Sequence, residues 1–227
     1  MRTFNIPILL LFVVLFSQKI NAGNITETEK KGLQLMREEE KLAHDVYQFL
    51  YEKWHIPIFS NIAKSEMRHF EAVGFLLNNY NVKDPAVFEK GMFANLEIEH
   101  LYGSLTQAGS KSLLTALEVG AFIEEVDIED LQILLQEGKN EQINVVYENL
   151  LRGSRNHLRA FTGQIENRGI NYQPKILQAE NYKAIVNAVH ERGNGNGPCF
   201  NTENSSGNGR GAGNRFRNRG IRRGINN

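Results

Sequence analysis

The feature that most constrains this chain is a carboxylate and an imidazole three residues apart within an apolar helical stripe. Glu66 and His69 interrupt a stripe that runs from Phe59 to Tyr80 in alternating steps of three and four residues. Such spacing is typical of a helix packed against partner helices. A carboxylate buried there is costly unless it is paired, protonated or bound to a metal ion. The sequence therefore predicts a helical bundle with polar groups in its core.

Three other segments show the same apolar stripe, and each is interrupted by polar residues near its middle. The interrupting residues are Glu40 in the first segment, Glu124 with the neighbouring-row Asp127 in the third, and His157 in the fourth. The four long helices are predicted at about 26–54, 57–80, 110–137 and 140–167, with shorter helices at about 85–102 and 175–191. The scarcity of Pro and Gly inside the long segments, and the lack of alternating runs, favour an all-α fold. Two helical hairpins joined by a longer connection predict a four-helix bundle with one crossover helix.

The interrupting residues lie at similar distances from the two predicted hairpin turns, near 56 and 138. At about 1.5 Å per residue, their offsets along the bundle differ by roughly a dozen ångströms at most. One buried cluster of four carboxylates and two imidazoles is therefore expected.

Such a cluster favours bound cations. Four like charges in a low-dielectric interior repel one another, and a pair of divalent or trivalent cations neutralises them. Carboxylate oxygens with a few imidazole nitrogens suit iron or manganese, and the single cysteine, Cys199, argues against a structural zinc or sulfur cluster. Two alternatives stay open: a metal-free core of protonated or Arg-paired acids, and a misassignment of the helix faces.

The order of these residues resembles that of the ferritin-like superfamily, rubrerythrins included. The resemblance lies in Glu40 with Tyr47, Glu66-x-x-His69, Glu124-x-x-Asp127 and His157. Segments 36–43, 123–128 and 153–161 more specifically resemble its uncharacterised branch, domain of unknown function 2202 (DUF2202). The resemblance covers about residues 30–170. It implies a ferritin-like four-helix bundle with a di-iron or di-manganese carboxylate centre.

The chain also departs from the superfamily pattern. The resemblance implies a second Glu-x-x-His at positions 154 and 157, but Ser154 replaces the carboxylate. Asp127 is the residue that the resemblance offers in compensation. His44 is a further option, although its phase points to the flank of the helix and a partly exposed histidine is the simpler interpretation. Glu39 and Glu125 lie next to the favoured phase, so a small helix rotation would exchange them for Glu40 and Glu124.

The two ends of the chain differ in composition from the middle. Residues 1–22 combine Arg2, a short apolar run and a small-residue cleavage site at Ala22, which predicts a secretory signal peptide; an uncleaved membrane anchor is the alternative. Residues 23–192 form the predicted bundle domain. Residues 193–227 are rich in Gly and Asn and hold six arginines and one acid, Glu203, which predicts a disordered basic tail. The protein is therefore expected to be exported, either secreted or in the periplasm or cell envelope.

Three functional hypotheses follow from these patterns. The first is a redox protein that acts on peroxide or oxygen and takes electrons from an external donor, with Tyr47 as an electron relay; a core aromatic role for Tyr47 is the alternative. The second is a metal carrier or buffer without turnover. The third is a metal-free envelope module whose tail arginines bind an anionic polymer, lipid or nucleic acid. The sequence leaves the oligomeric state open, a homo-oligomer included.

Overall fold

The computed structural model describes residues 24–192, which are helical apart from turns and loops and contain no strand. Six helices follow in order: α1 Glu27–Trp54, α2 Pro57–Asn79, α3 Leu96–Gly109, α4 Leu113–Glu137, α5 Glu141–Glu166 and α6 Ala179–Asn187. The prediction of an all-α fold is confirmed. The predicted signal peptide and basic tail lie outside the described residues. Between residues 24 and 192, no helix is both long and apolar enough to cross a membrane.

The four long helices form the bundle. α1 packs along α2 and α4 packs along α5, and further contacts of α1 with α4 and of α2 with α5 close the arrangement. The shorter α3 lies against α1 and α4, and α6 lies against α5. Large apolar side chains such as Met36, Phe59, Leu131 and Phe161 are fully buried in the centre.

Local signals account for the ends of the long helices. Thr26 and Glu29 form a capping box in which each side chain accepts a hydrogen bond from the backbone N–H of the other. His55 takes a left-handed backbone conformation after α1, and Pro57 starts α2. Ser112 and Asn140 cap α4 and α5. The long helices consequently end within a few residues of the predicted positions.

The predicted crossover helix at 85–102 is wrong in its position, because α3 begins only at Leu96 and continues to Gly109. Asp84 does not start a helix; its carboxylate pairs with the Arg37 guanidinium at 2.9–3.1 Å and accepts the N–H of Ala86. Gly91 has a φ of 76°, a conformation outside the helical region. Tertiary bonds to α1 therefore hold this segment in an irregular conformation.

The last predicted helix, 175–191, is also longer than the observed α6. The backbone N–H groups of Lys175, Ile176 and Leu177 donate to the buried carboxylate of Glu125 at 2.8–3.2 Å. A segment that gives its N–H groups to this side chain stays outside the helix, so α6 starts at Ala179.

Glu125 is one of three glutamates that attach loops to the bundle through backbone N–H groups. Glu29 accepts from Lys139 and Asn140 at 3.0 and 2.8 Å, before α5. Glu38 accepts from Ala94 and Asn95 at 2.8 and 3.0 Å, before α3. We call Glu29, Glu38 and Glu125 the loop-anchoring glutamates. Each is buried, and each has donors for its carboxylate.

Candidate metal centre

The bundle brings the predicted polar residues into its core. Glu40 on α1, Glu66 on α2 and Glu124 on α4 have no exposed surface. The His69 and His157 side chains, on α2 and α5, keep 14% and 12% of their surface exposed. The predicted helix faces are therefore correct for these residues, and the cluster lies between all four long helices.

The first group of possible ligands consists of Glu40, Glu66 and His69. Nδ1 of His69 lies 2.7 Å from Oε2 of Glu66 and 3.3 Å from Oε2 of Glu40. Because Glu66 and His69 are three residues apart on one helix, their side chains share a face and turn toward α1 together.

The second group consists of Glu66, Glu124 and His157. Nδ1 of His157 lies 2.7 Å from Oε1 of Glu66 and 3.4 Å from Oε2 of Glu124. Glu66 therefore belongs to both groups, with one carboxylate oxygen beside each histidine. A carboxylate that binds two metal ions is expected to be shared between two groups of ligands in this way.

The facing atoms of both groups lack hydrogen-bond partners among the described residues. The buried atoms without such a partner are both carboxylate oxygens of Glu40 and of Glu66, Oε2 of Glu124, and Nδ1 of both histidines. Their close neighbours are one another, in histidine–carboxylate pairs at 2.7–3.4 Å that are ion pairs when the rings are protonated. The loop-anchoring glutamates are buried too, and each receives backbone N–H groups. The fold thus provides backbone donors for buried carboxylates elsewhere, whereas the facing oxygens of the cluster receive none from the described residues.

The separations between facing atoms are those of ligands around a common ion. Two ligand atoms at about 2.1 Å from a metal ion and at right angles to each other are about 3.0 Å apart. The four separations of 2.7–3.4 Å bracket this distance. The residues therefore fit an oxygen-rich cation site with one imidazole in each group.

Burial and mutual charge shift the pKa values within the cluster. Burial raises the pKa of the Glu40 carboxyl to about 8, against the opposing attraction of His69. Burial alone would raise the pKa of Glu66, but its attraction to His157 and His69 is stronger and lowers it. Burial would lower the pKa of His69, but Glu40 and Glu66 raise it to about 10. The same competition, with Glu66 and Glu124 as partners, raises the pKa of His157. Without cations, protons therefore balance the buried charges.

Tyr47 is connected directly to the cluster. It is fully buried on α1, and its hydroxyl donates to Oε1 of Glu124 at 2.6 Å and lies 3.2 Å from the carbonyl of Gly120. Its ring packs against Phe161 with centroids 5.2 Å apart. Tyr47 thus orients one candidate ligand, in addition to filling the core.

Asp127 lies beside the cluster but belongs to neither group of three. It is buried, and its Oδ2 has no hydrogen-bond partner within residues 24–192. Burial, followed by repulsion from Glu40 and Glu124, raises its pKa. Ser154 is fully buried, and its hydroxyl donates to the carbonyl of Leu150 at 3.2 Å.

His44 does not contribute to the cluster. It is buried rather than partly exposed, and its Nδ1 lies 2.8 Å from the carbonyl oxygen of Ala63 while Gln48 contacts its Nε2 at 2.7 Å. Glu39 lies outside both groups; burial and then repulsion from Asp130 raise its pKa to about 8. Glu125 anchors a loop, so the exchange of Glu125 for Glu124 does not occur.

Sequence reasoning overlooked Gly153, which makes room for one of the histidines. A Cβ atom at this position of α5 would lie 2.6 Å from Cε1 and 2.8 Å from Nε2 of His69. A glycine in the middle of a long helix, one turn before His157, is the signal that indicates such a close approach.

The fold and the site define the class of this protein. It is an all-α protein with a buried Glu/His cluster that is shared among four helices. The chain belongs to the family described as "Uncharacterized protein domain (DUF2202)", which matches residues 29–189. It is 50% identical over 170 residues to "Uncharacterized protein MJ0754" of Methanocaldococcus jannaschii, a match that covers 74% of this chain and 92% of the relative. The "Crystal structure of hypothetical protein MJ0754 from Methanococcus jannaschii DSM 2661" is similar with a TM-score of 0.72 and 49% identity, over 74% of this chain and 96% of that one.

Proposed function

We propose that this protein binds two iron or manganese ions in the bundle core and acts as an oxidoreductase on dioxygen or peroxide. The observation that carries the proposal is the pair of three-residue groups that share Glu66. The facing atoms of these groups are buried without hydrogen-bond partners in the part of the chain that the structure describes. Buried polar atoms are almost always satisfied, so a cluster of unsatisfied carboxylates and imidazoles favours a cation as the missing partner.

Each residue has a distinct part in this proposal. Glu66 would bridge the two ions, Glu40 and His69 would bind one of them, and Glu124 and His157 would bind the other. A bound pair of iron or manganese ions supplies the redox chemistry by giving electrons to the oxidant. Tyr47 holds Glu124 through its hydroxyl and is the candidate electron relay. Asp127, buried on α4 outside both groups, would complete the coordination on that side.

Metal content tests this proposal most directly. Protein purified without a tag or chelator should contain iron or manganese by elemental analysis. Glu66→Gln should remove most of both ions because the bridging carboxylate belongs to both groups, whereas His69→Ala should mainly affect one. The matched controls are Glu71→Gln, at an exposed position of α2, and His100→Ala, at an exposed position of α3. Unchanged metal content in the Glu66 and His69 variants would contradict the proposal.

Ser154 favours a second candidate, a metal carrier or buffer without turnover. A serine stands where the superfamily resemblance places a carboxylate, so the second ion has one anionic ligand fewer. Dioxygen or peroxide consumption after addition of ferrous iron separates the candidates, because a carrier binds the iron without consuming either.

Export of the mature chain, and binding of an anionic polymer by its tail, are further parts of the proposal. Fractionation of the host cell and salt-dependent binding by a chain truncated after residue 192 test them.

A further inference from the structure

The two ligand groups are alike in most of their geometry. Each has one histidine whose Nδ1 lies 2.7 Å from an oxygen of Glu66. Each also has one glutamate of its own, whose Oε2 lies 3.3 or 3.4 Å from that nitrogen. The His69 and His157 side chains are exposed to nearly the same extent, 14% and 12%. The clearest difference between the groups lies in the glutamates that they do not share, Glu40 and Glu124.

The hydroxyl of Tyr47 makes these two glutamates unequal. It donates to Oε1 of Glu124 at 2.6 Å, so only Oε2 of that carboxylate is buried without a partner among residues 24–192. Both oxygens of Glu40 lack such a partner. Neither carboxylate has any exposed surface, so burial does not distinguish them. Glu40 therefore offers an ion two free oxygens, and Glu124 offers one.

The surroundings of Tyr47 hold its hydroxyl in this position. The side chain is fully buried, its ring packs against Phe161 with centroids 5.2 Å apart, and its hydroxyl also lies 3.2 Å from the carbonyl oxygen of Gly120. An ion can bind Oε1 of Glu124 only if Tyr47 gives up its hydrogen bond there. A hydrogen bond to a charged group is worth a factor of about ten or more in an equilibrium constant. Tyr47 therefore competes with an ion for this oxygen.

The neighbouring polar residues do not restore the balance. Ser154, one turn before His157, brings no negative charge, and its hydroxyl donates to the carbonyl of Leu150 at 3.2 Å. Asp127 belongs to neither group, and among its neighbours Glu40 is the carboxylate that repels it most. The second group thus has no carboxylate oxygen to replace the one that Tyr47 occupies.

We infer that the two ion positions are not equivalent: the first group binds its ion more tightly and fills first, and Tyr47 is the positioning residue that keeps the second position weak. This inference rests on the proposed two-metal centre. The free ligand atoms of the first group are both oxygens of Glu40, Oε2 of Glu66 and Nδ1 of His69; those of the second are Oε2 of Glu124, Oε1 of Glu66 and Nδ1 of His157. The second position is accordingly the one that exchanges its ion readily with the solution.

The two histidine variants form a matched pair for the first test. His157→Ala leaves the first group intact and should bind one manganous ion as tightly as the wild type binds its first. His69→Ala leaves only the second group and should bind one ion at least about tenfold more weakly. Titration calorimetry of chelator-treated protein with manganous ion measures both constants. The variants are needed because repulsion between two ions weakens the second wild-type event even at equivalent positions.

The second test examines Tyr47 in the His69→Ala background. Tyr47→Phe should free Oε1 of Glu124 and tighten manganous ion binding at least about tenfold, whereas loss of a merely structural residue would weaken it. Tyr147→Phe is the matched control, because this tyrosine of α5 is also buried and its hydroxyl has no partner in the described part of the chain. The control should leave the binding constant unchanged.

The outcomes separate this inference from the proposed function. Equal affinities of the two histidine variants, or no tightening by Tyr47→Phe, would overturn the inference while the two-metal proposal stood. A wild-type protein that binds neither manganese nor iron would overturn both. If a histidine variant does not fold, Glu40→Gln and Glu124→Gln provide the same comparison with little change of shape. If the double variant does not fold, Tyr47→Phe alone should tighten only the second wild-type event.

Discussion

The imidazole rings of His69 and His157 stack with their centroids 5.8 Å apart and their planes inclined by 28°. Carboxylates raise the pKa of both rings, so without metal two stacked rings carry protons on the same side of the cluster. Like charges at this distance repel, and the Glu66 carboxylate between their Nδ1 atoms offsets the repulsion. An ion bound at either Nδ1 has to displace the proton there.

Metal affinity should therefore rise with pH. The pKa of His69 is raised to about 10 and that of Glu40 to about 8, so at pH 7 both hold protons that compete with the ion. Titration calorimetry with ferrous or manganous ion, in buffers of different ionisation enthalpy, should show proton release and tighter binding at pH 8 than at pH 6. The exposed-site variant His100→Ala should release the same number of protons. Affinity that does not change between pH 6 and 8 would contradict this prediction.

The metal-free protein should become less stable as pH rises. A group whose folded-state pKa is raised contributes stability that is complete below its unfolded pKa and is lost as pH rises through the folded one. For Glu40 this stability is lost between pH 4.5 and about pH 8, and for His69 it is lost between pH 6.5 and about pH 10. The lowered pKa of Glu66 adds no loss in this range, because its contribution to stability is lost only as pH falls below 4.5.

Thermal unfolding monitored by circular dichroism measures this effect. The midpoint of chelator-treated protein should fall between pH 5.5 and 9, and added metal should raise the midpoint most at the upper end of the range. Glu40→Gln should flatten the metal-free curve. A midpoint that rises toward pH 9 in metal-free protein would show that the cluster is not protonated as described.

Gly153→Ala should displace His69 and weaken metal binding at the first group. The added methyl group would lie 2.6 Å from Cε1 of the ring, so the imidazole has to move. Gly163→Ala on the same helix is the matched control, because a Cβ there meets no atom of the described residues within 4 Å. It should stabilise the protein by roughly 0.5–1 kcal/mol through the usual preference of helices for alanine. Elemental analysis and chemical denaturation of the two variants separate the local clash from the general effect of a glycine substitution.

Tyr47→Phe should destabilise the metal-free protein. The substitution removes the hydroxyl that donates a hydrogen bond to Oε1 of Glu124 at 2.6 Å. Leaving such a buried acceptor unpaired costs about 1–3 kcal/mol. Tyr51→Phe, at a position that is 40% exposed, should change the free energy of unfolding by less than about 0.5 kcal/mol. If Tyr47 also relays electrons, the variant will consume oxidant more slowly at unchanged metal content. Equal stability of the two variants would show that the hydrogen bond contributes little.

Ser154→Glu should strengthen binding of the second ion. The position is fully buried, one turn before His157, so a carboxylate there faces the group that has Glu124 as its own acid. Sequential binding constants from calorimetry should show a tighter second event. Lower stability together with unchanged metal content would argue against a two-metal centre.

The positions of the site residues were largely predictable from the sequence, because each stripe has a helical period and its polar interruptions lie at matching depths. Period and depth could not show that Glu66 is shared, since that depends on how α1, α4 and α5 approach α2. They favoured Glu124 but left its exchange for Glu125 open, because the two acids are adjacent and both fully buried. The difference comes from segment 175–177, whose N–H groups occupy one carboxylate and leave the other to the cluster.

The crossover helix was placed wrongly for a related reason. Asp84-Pro85 has the local pattern of a helix start, but the Asp84 carboxylate bonds to Arg37, 47 positions earlier in the chain. A bond between residues so far apart in sequence cannot be read from local patterns.

The loop-anchoring glutamates have a consequence for the life of the protein in a cell. Glu29, Glu38 and Glu125 fasten the loops before α5, α3 and α6 to the bundle with backbone hydrogen bonds that involve no ion. A small zinc domain unfolds when its metal leaves, because the metal itself holds the chain together. Here the architecture and the centre are held by different glutamates. Loss of metal from the proposed centre would therefore leave these loop attachments in place, and the chain would not have to refold when metal returned.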